Sequence, residues 1–426
     1  MFTIKNHLEK RNGHLTIAGI DTVDLAKQYG TPLYVTNEQR IRDNFRRYKQ
    51  AFPEADLYYA AKANGNFTIL RILAQEGAGA DVFSDGELYL ALLAGIKKDK
   101  ILFNGNSKTD RELAMAVETG VRISVDSLDE LHTLSQIASS EKKTVDIAFR
   151  VNPDVSPKTH PKISTGLKTS KFGIPHEEVV EAYKEAVELA GINPIGMHCH
   201  IGSQILDTSP FGEAVNRMMD LVEQVTRLGV KLEFLDIGSG LGIPYKKGEV
   251  APTPQDLADK VLPIFNKRSK AMGENLKLII EPGRYIVGDT TILLTTVNTV
   301  KEAAKKFVGV DAGFNLLIRP AMYDSYHHVV VANKVDAPVS GIYTVVGPIC
   351  ETGDILAKDR ELPGIEKGDI IAVLDSGAYG FSMSSQYNGR PRCPELLVND
   401  GHVDVIRNVE KFDDLMANQL VPGRFL

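Results

Sequence analysis

Lys62 ends an apolar run of strand length, Leu57-Tyr-Tyr-Ala-Ala-Lys62-Ala-Asn64, and the breaker Ala-Asn-Gly-Asn follows before a helical pattern from Phe67 to Gln75. That order sets an amine at the C-terminal mouth of a strand, where α/β enzymes keep their chemistry. A lysine among apolar neighbours loses its proton readily and can form a Schiff base with an aldehyde. The plainer reading is a strand-end lysine that reaches solvent along its alkyl stem. The other polar residues that close strands decide between the two.

Gly196-Met-His198-Cys-His200-Ile-Gly202-Ser203-Gln204 closes one such strand, and alternation puts His198 and His200 on one face. Gly202-Ser203 adds a hydroxyl and a small backbone suited to an anion. Asp236-Ile-Gly238-Ser239-Gly240-Leu-Gly242 closes the next; its glycines let backbone N–H groups approach phosphate oxygens, although the spacing is not that of a dinucleotide fingerprint. Leu278-Ile-Ile-Glu281-Pro-Gly283-Arg284 delivers a carboxylate after three apolar residues, costly to bury unless it meets a cation. A protonated pyridine nitrogen would be such a cation, and so would Arg284. Farther on, Arg319 and Tyr323 in Asn315–Tyr323 suit a carboxylate, Cys350 stands beside Glu351 in a Gly-Pro-led loop, and Tyr379 lies between glycines. No C-x-x-C or H-E-x-x-H spacing occurs, and no metal site is expected.

The elements that must position these residues follow a strand-then-helix rhythm. Strands are predicted at Asp56–Lys62, Ala80–Ser84, Ile101–Asn104, Arg122–Asp126, Asp146–Val151, Gly196–His200, Phe234–Gly238 and Leu278–Glu281, with amphipathic stretches such as Gly86–Ala94 and Phe211–Leu228 between them. This pattern predicts an α/β fold, a (β/α)8 TIM-type barrel over residues 33–284, with a doubly wound open sheet as the alternative. After Pro282 the texture turns to strands and turns: Tyr285–Val300, Phe307–Val310, His328–Ala332, Gly341–Val346 and Asp369–Leu374, then an Asp400-Gly401 hairpin signal. This half reads as a second, mainly antiparallel β domain. A short strand at His14–Ile17 and a helix capped by Asp21 and stopped by Gly30 are expected to join it, making the domain discontinuous, 1–32 and 285–426.

Bulk properties narrow the function classes. With 43% hydrophobic and 24% charged residues the composition is that of an ordinary soluble globular protein, and at 426 residues two domains are expected. A net charge of −6 gives no basic surface for nucleic acid, and no run is long enough to span a membrane. The start lacks a signal-peptide pattern, and three scattered cysteines argue against a disulfide framework, so a cytoplasmic protein is expected.

Taken together and in order, Tyr59-Ala-Ala-Lys-Ala-Asn, Ser170-Lys-Phe-Gly, His200-Ile-Gly-Ser-Gln, Glu281-Pro-Gly-Arg, Ile318-Arg-Pro-Ala-Met-Tyr, Gly347-Pro-Ile-Cys-Glu and Gly377-Ala-Tyr-Gly-Phe-Ser-Met-Ser-Ser resemble the fold-type III pyridoxal-phosphate (PLP) decarboxylases. The resemblance implies that Lys62 holds PLP covalently, His200 stacks on its ring and Glu281 pairs with the pyridine nitrogen. It implies that Ser203, Gly240, the Gly283–Arg284 segment and Tyr379 hold the phosphate, and that Arg284, Arg319, Tyr323 and Tyr379 hold the substrate. Cys350 is then the general acid and Glu351 the ligand of the substrate's distal end, both crossing from a neighbouring subunit of a homodimer with shared active sites. Two departures from the family pattern stand out: Ser239 replaces the middle one of three expected glycines, and Asp85 follows Ser84 where glycine is expected. Arg319 with Tyr323 answers a distal carboxylate and Glu351 a distal ammonium, which favours meso-2,6-diaminopimelate, and hence lysine as product. The alternatives are ornithine, arginine or a carboxylated polyamine precursor as substrate, a non-catalytic PLP-binding homologue, or a racemase, for which no second base facing the lysine is assignable.

Overall fold

Eight parallel strands close into a barrel in the computed structural model, which describes residues 3–157, 165–166, 170–273 and 275–425. They are Asp56–Ala60, Gly79–Val82, Ile101–Phe103, Arg122–Val125, Val145–Asn152, Ile192–His198, Phe234–Asp236 and Lys277–Ile280. Each pairs with the next, and the eighth returns to the first through Ile279↔Asp56 and Ile280↔Leu57, which rules out the open sheet. All eight predicted strands are present. Their apolar side chains are buried because helices cover the outside and the interior fills with residues such as Tyr58, Leu102, Ala148, Ile195, Phe234 and Ile279.

Several helices begin on polar caps, and Ser84 stands only two residues beyond the end of its strand. Asn66 accepts from the Thr68 N–H ahead of Phe67–Gln75, and Ser84 accepts from the Glu87 N–H ahead of Asp85–Leu93. Thr109 and Thr253 form capping boxes with Glu112 and Asp256. A cap so close to a strand fixes the short loop between them, and with it the residues at the barrel mouth. Asp85, where the family pattern has glycine, sits in the first turn of its helix, a position that favours an acid, and pairs with Arg111 at 2.6 Å.

The chain divides into two compact units: Ile41–Pro244 with Val250–Val287, which contains the barrel, and Met1–Arg40 with Tyr245–Glu249 and Gly288–Leu426. The second unit is built on a mixed sheet in which antiparallel pairs predominate. Its long strand, Thr291–Glu302, pairs antiparallel with Lys306–Val310, Ile370–Val373 and Leu33–Asn37. The Asp400-Gly401 hairpin forms as expected, joining Glu395–Asn399 to His402–Arg407 with φ of 46° and 79° at the two turn residues. The helix Thr22–Tyr29 is capped by Asp21 and ends at Gly30, and His14–Ile17 lies in a small three-stranded sheet of the same unit.

Three details differ from the sequence reading. The segment from Tyr285 is not strand: Arg284–Val287 and Gly288–Thr290 are helical turns that bury Ile286 and Val287, and strand begins only at Thr291. A short apolar run looks alike in either state. Leu33–Asn37, taken as the start of the barrel region, is instead a fully buried strand between Thr291–Glu302 and Glu395–Asn399, and the barrel unit begins at Ile41. Ile355–Leu362 is a further strand, its charged residues 358–361 masking the alternation. Among the described residues no helix is long and apolar enough to cross a membrane.

Packing inside the barrel is tight enough to test. A Cβ at Gly196 would lie 2.1 Å from the Phe234 ring, and Tyr183 donates to the Gly196 carbonyl. Gly196→Ala should therefore lower the thermal unfolding midpoint, at a cost of about 1–3 kcal/mol from overpacking, read by calorimetry against the wild type.

Candidate active site

The mouth of the barrel gathers polar side chains from nearly every strand end. Lys62 lies in a short 3-10 turn, Ala61–Ala63, two residues past the observed end of its strand. Its Nζ donates to Asp81 Oδ2, on the second strand, and lies 4.4 Å from the centre of the Phe83 ring. Asp81 is wholly buried, and burial followed by the nearby Glu281 charge pushes its carboxyl up, against the pull of Lys62. Asn104, directly after the third strand, donates to Asp81 at 2.6 Å and to Glu281 at 3.0 Å.

Glu281 follows the eighth strand and is 4% exposed, so a charge there needs compensation. Burial alone would raise its carboxyl; His198, with Nε2 at 3.5 Å, and then Lys62 outweigh that and hold it down at about 2. The ring of His198 is fixed by a 2.9 Å hydrogen bond between Nδ1 and Ser124 Oγ. Asp236 completes the cluster. Its Oδ1 accepts from the Gly238 N–H at 2.8 Å, and burial, then Glu281, push its carboxyl well above the ordinary range.

Alongside this acidic side lies a backbone cradle. Gly238 and Gly240 have φ of 63° and 116°, while Ser239 between them is not left-handed, so serine fits where a third glycine was expected. A Cβ on Gly240 would strike the Gly202 carbonyl at 1.9 Å, and one on Gly238 would meet His200 Nδ1 at 2.6 Å. The two loops are thus pressed backbone to backbone. Arg284 Nη2 donates to Ser203 Oγ at 3.0 Å, and a Cβ on Gly283 would lie 3.0 and 3.2 Å from Ala60 and Ala63. His200 faces Ser239, whose N–H points at Nδ1 across 3.4 Å; burial, then the Lys62 and Arg150 charges, lower the imidazole to about 3, so it is neutral near pH 7. The structure therefore brings together Lys62, His200, Ser203, Gly240, Glu281, Gly283 and Arg284.

The remaining predicted residues lie in the β unit. Arg319 opens the helix Arg319–Tyr323, is buried, bonds His327 Nε2 at 2.8 Å and lies 4.5 Å from the Tyr245 ring centre. Tyr323 ends the same helix. Cys350 is an exposed free thiol beside Glu351; Tyr387 donates to Glu351 at 2.8 Å, and Asn388 Nδ2 lies 3.3 Å from the thiol sulfur. Glu351 and Tyr387 line an open hollow of ≈ 620 Å³ with Phe314, Gly353 and Ser385. Tyr379 holds a left-handed φ of 56°, as does Asp375 four residues earlier, and such strain in non-glycine residues concentrates at functional loops. Asp81, Asn104, Tyr387 and Asn388 were missed from sequence. Asn104 was findable as the polar residue closing a predicted apolar strand and Asp81 as an acid within one; the other two carry no local signal.

A closed barrel with an amine at its mouth, an ionised buried carboxylate and a glycine-lined cradle, joined to a mainly antiparallel β unit, defines an enzyme built for carbonyl chemistry on a phosphorylated cofactor. Residues 38–288 match the family model for the pyridoxal-dependent decarboxylases, pyridoxal binding domain. A diaminopimelate decarboxylase of Archaeoglobus fulgidus is 59% identical over 96% of this chain and 98% of its own, and that of Methanothermobacter thermautotrophicus is 49% identical over 97% of each. The crystal structure of the M. jannaschii diaminopimelate decarboxylase in co-complex with L-lysine superposes with a TM-score of 0.94 at 43% identity, covering 99% of both chains. The chain belongs to the pyridoxal-dependent decarboxylases.

The residues fit the cofactor. Asp236 Oδ2 is buried without a hydrogen-bond partner beside an ionised Glu281, so the acidic side is built to face a further cationic donor. The glycine cradle beside Ser203 and Arg284 offers N–H groups and a guanidinium to an anion.

The lowered imidazole of His200 has a measurable consequence. Its folded value of about 3 lies below the ordinary 6.5, so the unfolded chain takes up the proton first and stability falls as the pH drops from 6.5 towards 3. His200→Gln should lose less stability across that window than the wild type, as read from denaturation midpoints at a series of pH values.

Proposed function

We propose that this protein decarboxylates meso-2,6-diaminopimelate to L-lysine and CO2, the last step of lysine formation. The observation that carries the reading is its kinship, along nearly the whole chain, to archaeal enzymes of that name, and the charges its candidate site offers agree with it. PLP, when bound, supplies an electron sink for the carbon that loses CO2.

The chain's own groups take the remaining tasks. Lys62 is the amine that holds the cofactor's aldehyde carbon, and Asp81 is its counter-ion. Glu281, held ionised, would pair with the ring nitrogen and favour its protonated form. His200, neutral, offers a flat face to the ring without placing a second cation beside it. Ser203, the Gly240 backbone, Gly283, Arg284 and Tyr379 hold the phosphate; Arg284 and Tyr379 also contact substrate. Arg319 and Tyr323 hold a substrate carboxylate and Glu351 the distal ammonium. Cys350 gives its S–H proton to the carbon vacated by CO2. An ornithine- or arginine-type substrate has no distal carboxylate for Arg319 and Tyr323 to answer.

The protein acts as a homodimer in the cytoplasm on this reading, and Cys350 with Glu351 serve the partner's site. The exposure of the thiol on its own chain supports that assignment.

Purified protein with PLP should release CO2 from meso-diaminopimelate with lysine as product, and Lys62→Ala should lose this activity; release chiefly from ornithine or arginine would overturn the substrate. Mixing Lys62→Ala with Cys350→Ala protein under verified subunit exchange should restore about one quarter of the wild-type activity, since random pairing makes half the dimers hybrids with one intact site of two. No recovery would refute sharing between subunits.

A further inference from the structure

We propose that Asn104 is a positioning residue for the decarboxylation: its amide ties the counter-ion of Lys62 to the carboxylate that serves the ring nitrogen, and so governs the charge state of the lysine nitrogen. This rests on the reading above and assigns a role to a residue outside the set expected to touch cofactor or substrate.

Asn104 is wholly buried directly after the third strand, and its backbone N–H is anchored to the Val82 carbonyl at 2.8 Å. One side-chain nitrogen donates twice, to Asp81 Oδ1 at 2.6 Å and Glu281 Oε1 at 3.0 Å. Those acids stand on the second and eighth strands, the two neighbours of the strand that carries Lys62. The amide's orientation is dictated by charge: turned over, it would set a carbonyl against two carboxylates. As it stands, Asn104 Oδ1 is buried with no hydrogen-bond partner. An unsatisfied acceptor is tolerated here for the sake of two charge-assisted donor contacts.

The consequence for Lys62 follows in sign. Asp81 is faced by Lys62 from the first strand's turn, by Glu281 and Asp236 from the eighth and seventh strands, by Arg150 from the fifth and by Glu87 from the helix after its own strand. Burial and the other acids favour its neutral form, whereas Lys62 and the Asn104 amide favour its charge. Without the amide Asp81 takes up a proton more readily, a cationic nitrogen at position 62 loses part of its counter-charge, and that nitrogen gives up its proton at lower pH. An ordinary core asparagine, by contrast, would contribute to stability alone.

The test is a spectroscopic pH titration of the holoenzyme, following the PLP absorbance that depends on Lys62, in the wild type, Asn104→Leu and Asn104→Ser. Leucine is near-isosteric and keeps no donor; serine is smaller and keeps one. The midpoint is expected to move to lower pH by about one unit in Asn104→Leu and by a smaller step in Asn104→Ser. Should the leucine variant fail to fold, the serine variant decides alone. Folded, PLP-loaded variants that titrate like the wild type, or at higher pH, overturn the role of Asn104 and leave the proposed function standing. A wild type with no PLP band sensitive to Lys62→Ala overturns both.

Discussion

Three carboxylates share one dry space at the barrel mouth, and they cannot all be charged. Asp81, Asp236 and Glu281 are each buried, and the ligand-type atoms of His198, Asp236 and Glu281 lie within 4.8 Å of one another. In such surroundings ionisation is limited by the positive groups at hand. Glu281 lies between His198 and Lys62 and stays ionised; Asp236 is driven towards its neutral form by burial and then by the Glu281 charge. Asp81 sits between the extremes, favoured by Lys62 and opposed by Glu281. The cluster is therefore an incomplete charge system that a cationic ring nitrogen would complete, and binding of the cofactor and maintenance of its reactive form become one electrostatic event.

The cradle beside that cluster solves a different problem, getting backbone close enough to a phosphate. Side chains at Gly238 or Gly240 would hold the sixth- and seventh-strand loops apart, and the contact at Gly240 leaves no room even for a methyl group. The β unit uses strain instead of space. Asp375 and Tyr379 both sit at φ of 56°, and Asp375, pushed up to about 8 by burial and then by Asp289, is a carboxyl near its titration point at neutral pH. The left-handed backbone at both residues gives the Tyr379 loop a shape that non-glycine residues seldom adopt.

The barrel was legible because each of its strands is a short apolar block flanked by a breaker and an amphipathic helix, a pattern that survives any tertiary context. The first-rank site residues were legible for a related reason: Lys62, His200, Ser203, Glu281 and Arg284 interrupt or terminate apolar runs, where a polar group needs justification. Asn104 closes a strand too and Asp81 lies inside one, but a lone acid or amide there is common, and only three-dimensional closure shows that the second, third and eighth strands bring them to one point with Glu281. Leu33–Asn37 escaped notice because its partners are remote in sequence. The turn at Arg284–Val287 was misread as strand because Tyr-Ile-Val has high β propensity that packing overrode.

That remote pairing bears on how the chain is made. Leu33–Asn37 emerges early from the ribosome, yet Thr36 meets Thr291 255 residues later, and the strand's other edge waits for Glu395–Asn399. At ordinary elongation rates the interval is on the order of tens of seconds. Through it, an apolar strand with both edges open is tethered ahead of a barrel that can close on itself as soon as Lys277–Ile280 is available. The order of synthesis thus runs against the order of assembly for the β unit, and Leu33–Asn37 must wait, unpaired on both edges, for the strands that bury it.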